Sequence, residues 1–230
     1  MPSLEIALIF GIILALIQYH ANKMSGFYLK HRRTLSTFSA GIVLSYLVLQ
    51  LLPAIYQVQG RLSKFVYLSM LGGIALVFLL DKHISRHRFK YKIRSEIREE
   101  HAVSLFVYHI LLGIAFIGFS ESFLDLLLFF IPLALFGTFS SFSIKEIYDI
   151  EREADSVTAT LSGSILIGMI LATIIPVSRL LYFPLLGLMA GSILYIILND
   201  VFREPERKNS YFFFGILIYS AIIGLMWWIF

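Results

Sequence analysis

The sequence predicts an all-α membrane protein, a bundle of eight transmembrane helices. Three observations predict it. The composition is 58% hydrophobic with a mean hydropathy of +0.82, whereas soluble domains average about 45–50% apolar. Eight runs come near the about 20 apolar residues that a crossing helix needs: roughly 3–21, 34–57, 63–81, 102–119, 123–143, 157–177, 183–202 and 210–230. None of these runs alternates polar and apolar residues, so membrane strands are excluded and helices remain. The runs fill residues 1–230 as one polytopic domain with short connections.

Each span carries its own signals. The first run has no basic lead-in and no small-residue cleavage pattern, so it reads as a retained helix and not a signal peptide. Sixteen of the 19 Lys and Arg residues fall in the loops after the first, third, fifth and seventh spans. Arg61, Lys64 and Arg179 alone lie on the other side. The positive-inside rule then puts those four loops in the cytoplasm and both termini outside, in a multi-pass protein of the cell membrane. Tyr211, Trp227 and Trp228 flank the last span as interfacial anchors do.

The loops add little chemistry. The longest, 82–101, holds seven cationic side chains and is expected to touch anionic lipid headgroups. His83 and His87 within it stand four apart, but the surrounding cations repel a metal ion. KEIYDIEREADS, after the fifth span, is the acidic loop and reads as a solvated connector. With no cysteine, neither disulfides nor thiolate metal ligands exist.

The spans themselves are more informative. In the second, Ser36, Ser39, Val43, Tyr46, Gln50 and Pro53 recur at helical spacing and form a polar face turned to protein or water. Pro53 frees a carbonyl near Leu49. In the sixth, Ser156, Thr160, Ser164, Gly168 and Ala172 form a small-residue stripe for close helix packing. The seventh has Gly187 and Gly191, then Tyr195 and Asn199 on the same side. In the fourth, His109 sits in an uncharged run, and an ionisable group inside a membrane helix is a functional candidate.

Two segments match across the chain: AGIVLSY from Ala40 and AGSILY from Ala190. They occupy the middle helices of an opening and a closing triplet that run in opposite directions. That predicts two inverted three-helix repeats around the fourth and fifth spans, a 3+2+3 plan with the site at the repeat interface.

FSAGIVLSYLVLQLLPAIYQ, AGSILYIILNDVFREPERKN and YHILLG together resemble the ZIP metal-ion transporters, over nearly the whole chain. The resemblance implies an eight-helix 3+2+3 fold and transport of a divalent metal cation such as zinc, or of another small solute. It also implies a metal site between the fourth and fifth spans, with His109 as its ligand. The family's other ligands are replaced: Ile110 and Leu112 stand in the fourth span, and Phe136 with Ser140 or Ser141 in the fifth. Hydroxyls alone hold divalent metals poorly, so any metal should bind weakly and no resident cofactor is expected. A non-transporting ZIP-fold protein with a structural or regulatory role is the alternative.

The expected pathway residues are His109, Gln50, Tyr46, Ser140, Ser141 and Asn199. His109 should face Gly137, Ser140 and Ser141, with Gln50 and Tyr46 on the same cavity. The expected partners are the bilayer, the transported solute or ion, and a second copy of the chain, with no nucleic acid. An enzyme is not expected: there is no HExxH-type cluster and no mid-helix lysine.

Overall fold

A computed structural model describes residues 4–21, 25–56, 61–87, 106, 108–118, 123–147, 151–174, 179–203 and 209–229. The described residues are all-helical. They form α1 (Leu4–Ala21), α2 (Ser25–Tyr46), a π turn (Leu47–Leu51), α3 (Leu52–Tyr56) and α4 (Arg61–His87). α5 (Tyr108–Gly118), α6 (Phe123–Ile147), α7 (Glu151–Ile174), α8 (Arg179–Arg203) and α9 (Asn209–Ile229) follow. α2, the π turn and α3 make one continuous rod.

Pro53 accounts for the π turn. A proline ring clashes with the carbonyl four residues back and has no N–H to give. Here the ladder widens, and the Leu52 N–H reaches back five residues to the Leu47 carbonyl. Pro53 is the donor that both Val48 and Leu49 would use next, so the sequence removes it from each.

Three helical stretches are long and apolar enough to cross a membrane: Thr34–Tyr56, Leu181–Asn199 and Ser210–Ile229. Five shorter apolar helices accompany them. The exterior is greasy: Ile9, Leu16, Leu68, Leu71, Ile170, Phe213 and Leu217 are all more than half exposed or close to it. The interior holds Gln18, Thr37, Ser39, Ser45, His109, Thr158, Ser162, Ser164 and Ser192, all buried. Apolar outside and polar inside reverses the arrangement that water favours. It suits hydrocarbon, and the chain is built as a helical membrane protein. Trp227 and Trp228 stand exposed near the end of α9.

Glycine sets how the helices meet. A β-carbon on Gly41 would collide with the Phe212 carbonyl, and one on Gly215 with the Phe38 carbonyl, so α2 and α9 cross backbone to backbone. Likewise a β-carbon on Gly191 would strike the Met70 carbonyl, and one on Gly73 the Leu188 carbonyl, so α4 and α8 cross in the same manner. The two crossings share one pattern. A constant offset takes Phe38, Gly41 and Ile42 to Leu188, Gly191 and Ser192, and a second takes Met70 and Gly73 to Phe212 and Gly215.

α2, α4, α8 and α9 pack as one set. α1 packs on α6 and α7, and Gly113 of α5 lies against Ile165 and Gly168 of α7. The sets join chiefly where α2 meets α6. Registers give directions. Val66 meets Gly187 and Met70 meets Gly191, with Phe78 on Tyr195 further along, so α4 and α8 run parallel. Phe10 meets Phe123 and Phe130 while Gln18 meets Gly137, so α1 and α6 run parallel. Tyr46 meets Phe129 while Gln50 meets Asp125, so the α2 rod and α6 run antiparallel.

The stripe on α7 is used only in part. Gly168 closes on Ile110 and Ser164 is buried, but Ser156 and Thr160 are exposed. Close approach to α5 begins only in the second half of the helix.

Candidate functional site

Several buried hydroxyls bond within their own helix. Ser45 donates to the Gly41 carbonyl at 3.0 Å, Ser162 to Thr158 at 2.8 Å, and Ser192 to Leu188 at 2.9 Å. Such bonds let polar residues sit in a membrane helix at low cost. Four other residues behave differently. Both amide atoms of Gln18, the Ser39 hydroxyl, the Tyr46 hydroxyl and Gln50 Oε1 are buried without a protein hydrogen-bond partner. An unmet buried polar group costs about 1–3 kcal/mol, so this concentration in one bundle calls for a function.

The α2 rod supplies three of the four. Ser39 and Tyr46 lie on its buried face, and Gln50 follows one turn later in the π turn. The face predicted from spacing is inward: Ser39, Val43 and Tyr46 are buried, and only Pro53 at its end is exposed. Opposite stands α6. Gln50 Nε2 donates to Asp125 Oδ1 at 3.3 Å. One turn deeper, the Tyr46 ring lies 5.8 Å from the Phe129 ring. Tyr219 of α9 donates to the Leu128 carbonyl at 2.6 Å and so fixes α9 to α6 beside this contact.

Of the six expected pathway residues, the structure brings Tyr46 and Gln50 together. His109 is buried on α5 with its ring 5.5 Å from that of Tyr108. Asn199 is half-buried on α8, one turn past Tyr195. Neither takes part in the Gln50–Asp125 contact. Ser140 and Ser141 lie in α6, and their side chains are outside the described residues, as is that of Phe136. Gly137 is taken up by α1: the Gln18 carboxamide fills the space that a β-carbon there would need. Among the described residues, no three His, Asp or Glu side chains converge as metal ligands would.

Two residues of this region went unread in the sequence. Gln18 is the one carboxamide within the first span, and Asp125 the one acid within the fifth. The rule applied to His109, that an ionisable group inside a span is a candidate, would have selected Asp125 as well.

No protein-family model matches the chain, and no curated protein is significantly similar to it. The functional reading therefore stands on geometry and chemistry.

Proposed function

We propose that the protein is a multi-pass membrane transporter of ZIP-like 3+2+3 architecture. Its cargo is a small polar solute or a weakly held cation, and both its termini are extracytoplasmic. The observation that carries the reading is the set of unpartnered buried groups, Gln18, Ser39, Tyr46 and Gln50. Hydrocarbon surrounds the bundle, so these groups can be met only by something that enters its interior. Carboxamides and hydroxyls bind without fixed charge. That gives the weak, exchangeable contacts a pathway needs.

The inverted-repeat plan is supported by the exchanged glycine crossings. Swapping the second span for the seventh and the third for the eighth turns the α2–α9 crossing into the α8–α4 crossing, residue by residue. The parallel pairs α1–α6 and α4–α8, and the antiparallel pair of the α2 rod with α6, agree with eight spans that alternate in direction.

Transport is tested with the purified protein in liposomes, against a panel of alkali cations, divalent metals and small neutral amides and polyols. Saturable uptake of at least one, reduced several-fold by Gln18→Ala, is expected. Protein-containing liposomes no more permeable than protein-free ones to every member of the panel would overturn the reading.

A further inference from the structure

We infer that Asp125, Gln50 and Tyr46 form an oxygen-lined site for a monovalent cation where the α2 rod meets the start of α6. Its place on a transport path rests on the reading above. Its binding of a cation does not.

Asp125 lies in the first turn of α6 and is exposed on one side. On its other side it accepts the Gln50 amide at 3.3 Å. N–H···O bonds usually span about 2.7–3.2 Å, so this one is long, and it fills one of about four acceptor sites on the carboxylate. Among the described residues, no Lys or Arg forms an ion pair with it. An acid in a first helical turn is favoured by the helix dipole. That explains Asp125 alone. It does not explain why Gln50 Oε1 and, one turn back along the rod, the Tyr46 hydroxyl are buried with no hydrogen-bond partner. Tyr46 is 1% exposed, and its ring packs on Phe129, one turn along α6 from Asp125.

Each atom has a role a cation would use. Asp125 supplies the charge. Turning the Gln50 carboxamide over presents Oε1 where Nε2 now sits, converting a donor into a ligand. The Tyr46 hydroxyl can offer its oxygen lone pairs while its proton points away. Such an all-oxygen set selects hard cations. One carboxylate balances one positive charge. A divalent ion would leave a net charge beside Phe129 and its neighbour Phe116, whose ring lies 5.2 Å away, and that is costly.

The test measures binding of radioactive Na⁺ to the purified full-length chain, with K⁺, Ca²⁺, Zn²⁺ and choline as competitors. Saturable Na⁺ binding is expected, displaced poorly by Zn²⁺ and choline. Asp125→Asn should weaken it about tenfold or more, the scale of a lost bond to a charged partner. Gln50→Leu and Tyr46→Phe should each weaken it less, with elution and helicity unchanged in all three. Three results would each overturn the site: no saturable binding by the wild type, binding unchanged in Asp125→Asn, or Ca²⁺ held more tightly than Na⁺. Na⁺ binding that depends on Asp125 supports the site even in a protein that moves no solute. Solute flux in a chain that binds no Na⁺ removes the site and leaves the transport reading standing.

Discussion

The carboxamide of Gln18 lies in the space that a side chain at Gly137 would occupy. α1 and α6 approach here because position 137 carries only hydrogen, and Gln18 is buried in the notch. Gly137→Ala should therefore lower the melting temperature in detergent. Overpacking costs about 1–3 kcal/mol. The Gln18 amide is a side-chain end that can shift but is buried in the notch. The net loss should therefore be small, after the up to about 1 kcal/mol that alanine gains over glycine in a helix, and below that at the backbone crossings. Adding Gln18→Ala to Gly137→Ala should recover most of the loss. A Gly137→Ala protein as stable as the wild type, with Gln18 intact, would contradict the packing.

The glycine crossings predict a contrast. Gly191→Ala places a methyl group against the Met70 carbonyl, and Gly41→Ala places one against the Phe212 carbonyl. Backbone cannot swing aside as a side chain can. Each change should cost about 1–3 kcal/mol. Gly72 and Gly224 face open space, and their alanine variants should be as stable as wild type or up to about 1 kcal/mol more stable. Thermal melts of the four variants decide it. A Gly191→Ala variant that melts no lower than Gly72→Ala would show that the crossing leaves room for a methyl group and would contradict it.

The helical class and the buried face of the α2 rod were legible because hydropathy and spacing are local signals. Ala40-Gly41 and Ala190-Gly191 were legible as a matched pair of segments for the same reason. What they approach was not legible. Gly41 meets α9 and Gly191 meets α4, and those pairings depend on long-range packing. Gln18 and Asp125 were hidden in a different way. Each is one polar residue in an apolar run, and its meaning appears only when another helix arrives: α6 over Gln18, and the π turn over Asp125. The π turn follows from Pro53 in retrospect, but proline also permits a kink or a helix end, and the sequence does not choose among them.

The topology has a direct test, because the chain contains no cysteine. Single cysteines at Ser3 and Ser95 can be labelled with an impermeant thiol reagent on intact cells. The charge asymmetry of the loops predicts labelling of Ser3→Cys and protection of Ser95→Cys until the cells are opened. The reverse result would invert every span.

The last prediction concerns zinc. The fourth span keeps His109, buried on α5, while Ile110 and Leu112 stand where the family resemblance calls for further ligands. On α6 the corresponding positions are Phe136 and Ser140 or Ser141. One imidazole with hydroxyls offers Zn²⁺ no anionic ligand to offset its dehydration. The wild type should therefore gain little thermal stability from Zn²⁺ or Cd²⁺. A ligand that binds the folded state at a hundred times its Kd adds about 2.7 kcal/mol, a shift that a melt resolves readily. Phe136→His combined with Ser140→Glu supplies a second imidazole and a carboxylate one helical turn apart on α6. This double variant should melt higher with Zn²⁺ than without it, and His109→Ala in the same background should remove most of the gain. Tight Zn²⁺ binding by the unmodified chain would refute the weak-site reading. A double variant that ignores Zn²⁺ would mean that His109 does not share a site with these α6 positions.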